Sequence, residues 1–306
     1  ELDSLGVRVA ALEKKSDNVK ITGQIRYNYA DYSGDLDGES NKLRSRIWLT
    51  GQINDDWKYV GMLENQQDFS NNTGDEGTNF QRAYVEGRLG GMQVSAGRQN
   101  LNLAEGNIYD SRYDGINLSY GQNVKFGAFY GKPTNIDSGY YTATYPSPGA
   151  VFPGTNLWWS VSGNSIAAYD TVYGGTVDAK IGVVDMGLGY TVFSGGTNST
   201  TNYLLAVDGS ILDVAGPIIE SFDEDDNKIW NIGFNAEIAK DLKFGAMYLD
   251  SSLEGVEGDD DGFVLGLSYK GAKASEKGSY GLYTKYYDQA STTAIAHTMN
   301  GEYGGT

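Results

Sequence analysis

Residues 42–67 read KLRSRIWLTGQINDDWKYVGMLENQQ, and the first arm of this stretch alternates without a break. Lys42, Arg44, Arg46, Trp48, Thr50 and Gln52 fall on one side of an extended chain; Leu43, Ser45, Ile47, Leu49, Gly51 and Ile53 fall on the other. A period of two marks a β-strand with one wet face and one apolar face. Asn54-Asp55-Asp56 supplies a tight turn, and Trp57 to Gln67 resumes the strand pattern. The wet face is not merely polar: Lys42, Arg44 and Arg46 follow one another along it. In a soluble sandwich the apolar face would meet a second sheet. Here the same hairpin unit recurs down the chain, and no helical pattern follows to cover it. The combination predicts an all-β fold, a transmembrane antiparallel β-barrel with lipid outside and water inside.

Bulk hydropathy hides such a fold. Mean hydropathy is −0.42, and no run approaches the roughly 18 apolar residues of a spanning helix. A barrel passes unnoticed because only every second residue of its strands needs to be apolar. The 23 Tyr suit interfacial girdles, and the 42 Gly relieve crowding inside. A formal charge of −17 argues against nucleic acid as a partner. The absence of cysteine excludes a disulfide scaffold and a thiolate metal site.

About thirteen strands are legible. In the first, Ile21, Gly23, Ile25, Tyr27 and Tyr29 share the apolar face, while Lys20, Thr22, Gln24, Arg26 and Asn28 share the wet one. A loop over 33–41 precedes the hairpin above, and further strands are expected at 79–89, 92–99, 113–120, 124–132, 173–181, 186–193, 229–238, 242–249, 262–270 and 280–287. Their connections alternate between short turns, such as Gly90-Gly91 and Lys240-Asp241, and long loops. Outer-membrane barrels have this asymmetry, with short periplasmic turns and long external loops. The prolines, Pro133, Pro146, Pro148, Pro153 and Pro217, are all expected in long loops, since a ladder cannot use a residue without N–H.

Residues 1–16 differ from the rest. Leu2, Leu5, Val9 and Leu12 are spaced like the a/d seam of a coiled coil. Two heptads are too short to be stable alone, so they are either a docked surface helix or the last turns of an oligomeric stalk, and the stalk is the preferred reading. Residues 17–306 are expected to form the barrel, with no domain boundary inside it. An odd strand count leaves the chain outside the cell near residue 290, so roughly three more strands are expected after Thr306.

The candidate pore-lining side chains are Arg26, Arg44, Arg46, Glu64, Asp68, Arg82 and Glu86, all at wet-face positions. The third long loop, 100–112, is the candidate constriction. Its Glu105 and Asp110, with Asp114 just beyond, could oppose those arginines and set up a transverse field; the alternative is that the loop lies flat on the surface with solvated carboxylates. Arg98 falls on the apolar face by simple alternation unless a bulge re-aims it. The acidic runs 223–226 and 259–261 lack the spacing of a calcium loop and read as solvated surface charge. No metal or cofactor is expected. Catalysis is not expected either: His297, the sole histidine, lies in a Thr-rich segment, and no glycine-rich loop joins a strand to a helix.

These residues resemble a family. A short coiled-coil end running into NVKITGQIRYNY, then KLRSRIWLTGQINDDWKYVGMLE, FQRAYVEGRL and VSAGRQ, is similar to the OmpM-type porins of diderm relatives of the Gram-positive bacteria. The resemblance implies a homotrimer of 16-stranded barrels acting as diffusion channels, embedded in outer-membrane lipid and lipopolysaccharide. It also implies a periplasmic coiled-coil stalk and an N-terminal domain, absent from this sequence, that holds peptidoglycan. The function expected is passive transport of small hydrophilic solutes; a structural tether with an incidental pore is the alternative. The acidic outer loops predict a weak cation preference that fades as salt rises.

Overall fold

A computed structural model describes residues 18–32, 38–70, 77–134, 142–144, 158–167, 169–195, 197–205, 211–218, 226–253, 259–273 and 275–296. The proposed stalk residues Leu2, Leu5, Val9 and Leu12 lie outside them, as do His297 and three of the prolines. The strands in chain order are β1 (Val19–Tyr32), β2 (Gly38–Gln52), β3 (Trp57–Asp68), β4 (Asn79–Leu89), β5 (Met92–Leu103), β6 (Tyr109–Gly121), β7 (Val124–Pro133), β8 (Thr142–Thr144), β9 (Trp158–Ala167), β10 (Thr171–Ile181), β11 (Val184–Ser194), β12 (Thr197–Leu205), β13 (Ile211–Ile218), β14 (Asn227–Ala239), β15 (Leu242–Ser251), β16 (Asp261–Lys270) and β17 (Gly281–Gln289).

Thirteen of them form one sheet in the order β1-β2-β3-β4-β5-β6-β7-β10-β11-β14-β15-β16-β17. This is the set of strands expected from alternation, most of them displaced by a few residues at one or both ends. The remaining four form a separate sheet, β13-β12-β9-β8, built by the two longest connections. Those connections are plain loops by sequence pattern, so this sheet is a correction. Two prolines expected in long loops lie in strands instead: Pro217 sits within β13, an edge strand, and Pro133 closes β7. Both positions spare the ladder an interior residue without N–H.

The short turns form for local reasons. The Asn54 side chain accepts the backbone N–H groups of Asp56 and Trp57 at 3.0 and 2.9 Å, an Asx turn. Gly90 and Gly182 adopt φ of 62° and 64°, where a side chain would be strained.

The chain divides into two compact units, residues 1–100 with 114–118, and residues 101–113 with 119–306. In the first unit the register keeps the two faces apart. Gln24 stands opposite Arg46, and Arg46 opposite Glu64, while Gly23 stands opposite Ile47, and Ile47 opposite Leu63. Directly opposed residues of an antiparallel pair share a face, so the wet positions of β1 to β4 are contiguous. On the other face Ile21, Ile25, Tyr27 and Ile47 are exposed.

In the second unit β14 alternates buried and exposed over Asn227 to Phe234. Trp230, Ile232, Phe234 and Ile238 are exposed, and so are Val124, Phe126 and Tyr130 of β7. The opposite face is lined by glycines that admit neighbouring side chains. A Cβ on Gly189 would lie 2.3 Å from the Asn231 amide oxygen, and one on Gly245 2.3 Å from that of Asn235. On Gly174 it would lie 2.1 Å from the Tyr190 carbonyl oxygen and 2.8 Å from the Phe129 ring. Because the first of those contacts is backbone, Gly174→Ala is expected to destabilise the protein by about 1–3 kcal/mol, the usual range for overpacking. A thermal or urea unfolding midpoint equal to that of the unsubstituted protein would contradict this.

Candidate functional site

The seven candidate lining residues occupy one face of the first unit. Arg26 is directly opposite Arg44, Arg46 opposite Glu64, and Lys42 opposite Asp68. Met62 stands opposite Arg82 and Lys58 opposite Glu86. A bulge at Gln81 of β4 immediately precedes Arg82, because Leu63 pairs with Phe80. Like charges directly opposed repel, and the Arg26–Arg44 pair is relieved only from one side. Glu64 hydrogen-bonds Arg46 Nε at 2.5 Å and lies 3.9 Å from Arg44 Nε. Arg44 Nε is buried and makes no hydrogen bond of its own. Lys42 reaches Asp68 at 3.6 Å, and Lys58 reaches Glu86 at 2.7 Å. Arg82 donates to Asn100 Oδ1 at 2.6 Å. The register keeps Lys20 and Arg88, wet-face positions not named among the lining candidates, on the same face.

The candidate constriction differs from its expected form. The stretch 100–112 is not an open loop: β5 runs on to Leu103, β6 begins at Tyr109, and only 104–108 turn between them. The turn is unusual. Ala104 and Glu105 hold φ of 54° and 57°, followed by Gly106 at 85°. Left-handed conformations in non-glycine residues persist only when the surroundings enforce them.

Those surroundings belong to the second unit. Residues 101–113 form a strap whose apolar side chains enter its core. Ile108, Tyr109 and Tyr113 are fully buried, and Leu101 and Leu103 nearly so, in a cluster with Phe129, Val172, Phe193, Ile229 and Leu249. The Tyr109 and Phe193 ring centroids are 6.0 Å apart. Polar bonds fasten the tip. The Asn235 amide donates to Glu105, and the Gln289 amide donates to the Asn107 carbonyl at 3.3 Å. The N–H groups of Ile295 and Ala296 both reach the Ile108 carbonyl, at 2.9 and 3.1 Å, and the Asp110 N–H reaches the Ala296 carbonyl at 2.6 Å. Glu105 and Asp110 are therefore both part of the fastened strap.

Asp114 is not. It lies in β6 and makes a bidentate pair with Arg98 of β5, both bonds 2.7 Å. Arg98 stands opposite Ala83, so it stays on the apolar face as simple alternation requires. Gln99, its neighbour on the wet face, is buried and bonds the Gly115 carbonyl and the Asn117 side chain at 3.0 and 3.1 Å. The side chains of Asn117 and Gln99 thus share a face, and Asp114 shares the other with Arg98.

A second charged region was missed by sequence reading. On the glycine-lined face of the second unit, near the short turns, Lys125 stands opposite Asp178, Lys180 opposite Asp185, and Glu237 opposite Lys243. Lys180 Nζ and Asp185 Oδ1 are 3.0 Å apart. A groove on this face is lined by Lys180, Asp185, Asn235, Glu237, Lys243 and Lys285. The signal was present for all but Asp185, since the others occupy wet positions of predicted strands, whereas Asp185 lies one residue before the strand expected at 186–193.

Among the described residues no cluster of His, Cys, Asp or Glu could hold a metal ion, and no helix is long and apolar enough to cross a membrane. The acidic residues 259–261 do not form such a cluster; Asp261 accepts the Tyr248 hydroxyl at 3.0 Å.

With this geometry in hand, the chain can be set beside the known proteins it is similar to. The family of phosphate-selective porins O and P matches residues 19–115, from β1 into β6. Solved structures with a similar course include engineered variants of the Rhodopseudomonas blastica porin. One has 15% sequence identity and a TM-score of 0.42, covering 90% of this chain and 96% of that one. A triple mutant of the same porin has 16% identity and a TM-score of 0.40, covering 89% and 95%. No curated protein sequence matches the chain.

Proposed function

We propose that this chain forms the wall of an outer-membrane diffusion porin, which passes small hydrophilic solutes and ions without covalent chemistry. The observation that carries the reading is the thirteen-stranded antiparallel sheet with one exposed apolar face and one charged face, kept distinct by register across successive strands. Such a sheet is stable where lipid meets the first face and water the second. The family match over 19–115 supports it.

Within this reading the seven wet-face residues of the first unit line the channel, and the strap 101–113 narrows the space enclosed by the second unit. Glu105 and Asp110 are its carboxylates. The resemblance to OmpM-type porins extends the proposal to a homotrimer in lipid and lipopolysaccharide, with 1–16 as the end of a periplasmic stalk. The peptidoglycan link rests on that resemblance alone, through a region outside this sequence. Selectivity for phosphate, named in the matched family, finds a chemical basis in Arg26, Arg44 and Arg46, because guanidinium groups suit oxyanions.

The test is conductance of the purified protein in a planar bilayer. Stepwise, voltage-independent, salt-proportional current is expected, in groups of three equal steps if three protomers insert together. A protein that extracts without detergent and leaves the bilayer silent would sink the reading.

A further inference from the structure

The groove near the short turns of the second unit has a volume of about 510 Å³. It lies on the face that the porin reading assigns to water, and the present inference rests on that reading. Its floor follows from the register. Across five strands Asp185 stands opposite Asn235, Asn235 opposite Gly245, Gly245 opposite Gly266, and Gly266 opposite Lys285. Two glycines side by side leave the backbone bare between Asn235 and Lys285. A second row on the same face runs nearer the turns, with Glu237 opposite Lys243 and Lys243 opposite Ser268.

Glycine inside a strand weakens it, and often marks a place where another backbone or a ligand comes close. Three glycines of this face are explained by their neighbours. A Cβ on Gly233 would lie 3.0 Å from Met247 Cε, one on Gly245 2.3 Å from Asn235 Oδ1, and one on Gly262 2.7 Å from Gln289 Cα. Gly266 has no such neighbour. A Cβ there would first meet Lys285 Cγ at 3.8 Å, an ordinary contact. The space over Gly266 is room that no protein atom fills.

The charges around this room are balanced. Lys180, Lys243 and Lys285 line the groove with Asp185 and Glu237, and the strap carboxylate Glu105 accepts the amide of Asn235 at its wall. Lys180 and Asp185 satisfy each other at 3.0 Å. Glu237 and Lys243 are directly opposed, yet among the described residues they form no ion pair. A bulge at Ile238 follows Glu237, whose carboxylate accepts the Asp241 N–H at 3.4 Å. An acid and a base thus stand side by side, each open to a solute. We propose that the groove is a subsite for small zwitterions of the α-amino-acid class. The carboxylate rests over Gly266, flanked by Lys243 and Lys285, and the ammonium turns toward Glu237. A plain oxyanion would gain from the lysines but meet Glu237 and Glu105, unlike on the arginine-rich face of the first unit. Water-exposed charge pairs are individually weak, which suits a solute that must leave as readily as it enters.

L-Alanine, L-lactate and erythritol are similar in size and differ in charge: a zwitterion, an anion and a neutral polyol. With the full chain in liposomes, alanine uptake is expected to saturate with concentration, while lactate and erythritol uptake rise linearly. Lys243→Gln and Glu237→Gln should each raise the half-saturating alanine concentration several-fold and leave erythritol uptake at the parental rate. Gly266→Ala, which the 3.8 Å contact admits without a clash, should weaken alanine saturation in the same direction by filling the floor. Linear alanine uptake by the parent overturns the proposal, and so does saturation unchanged in all three variants. Lactate that saturates as alanine does would mean a plain anion site, and the zwitterion proposal fails. Erythritol separates the two levels. A protein that passes erythritol but takes up alanine linearly loses only this inference, whereas one that passes neither loses the porin reading as well.

Discussion

Replacing Arg44 and Arg46 with glutamate will raise the cation-to-anion permeability ratio on the order of tenfold at low salt, the lower range for charge-lined clefts. The register explains why these two positions dominate. The wet face of the first unit carries Lys20, Arg26, Lys42, Arg44, Arg46, Lys58, Arg82 and Arg88 against Glu64, Asp68 and Glu86. Each of those three carboxylates is already in contact with a cation, and Glu64 serves two. The face is more cationic than a near-neutral lining, and it opposes the cation preference that the overall charge of −17 favours at the mouth. Two arginine-to-glutamate changes shift its charge by four. Glu at 44 would also stand opposite Arg26, so the strand pair gains an attraction where it had a repulsion. The measurement is the reversal potential across a salt gradient for parent and double variant. The shift should shrink at 1 M salt, where the Debye length is about 3 Å. An unchanged potential at low salt would remove these arginines from the conducting path.

The second large effect concerns the strap. Tyr109 is fully buried, its ring packs on Phe193, and its hydroxyl donates to the backbone carbonyls of Arg112 and Thr134. Tyr109→Ala removes the ring and leaves both carbonyls without that donor. Large aromatic truncations cost about 3–5 kcal/mol, and here the loss falls at the centre of the strap's apolar anchorage. The strap should detach while the sheet persists. Single-channel steps are then expected to become larger and noisier, and the amides of Ile295 and Ala296, which bond to Ile108, should exchange faster with deuterium. Steps of parental size and quietness, with unchanged exchange, would mean that the strap does not limit the current.

The thirteen strands were legible because alternation is written residue by residue and needs no distant information. The stretch from Asn100 to Arg112 was misread as an open loop for a specific reason. Leu101 and Leu103 occupy wet-face positions, in step with Ser95 and Gln99, so along this one strand the pattern looks broken. It does not fail; the wet face turns apolar where the strap docks. Phe129, Val172, Ile229 and Leu249 break the pattern of their own strands in the same way. A reader scanning one strand sees isolated exceptions, and only the register shows that they meet. The second sheet was illegible for another reason. Thr197–Leu205 opens with six polar residues, and Thr142–Thr144 is three residues long, so neither shows a period. Arg98 and Asp114 show the converse: alternation placed Arg98 correctly, but its partner lay sixteen positions away and was assigned to a different role.

The second sheet joins two connections that are far apart in sequence. β9 belongs to the connection between β7 and β10, β12 belongs to the connection between β11 and β14, and the two pair from Thr197 opposite Ala167 to Leu205 opposite Trp158. Their shared ladder ties the histories of the two segments together. An insertion in one shifts the partner of every residue in the other, so lineages that vary one segment should vary both, in lengths that preserve the pairing. An antibody raised against the folded surface would read a composite of both segments, and a linear peptide copied from either would fail to compete for it.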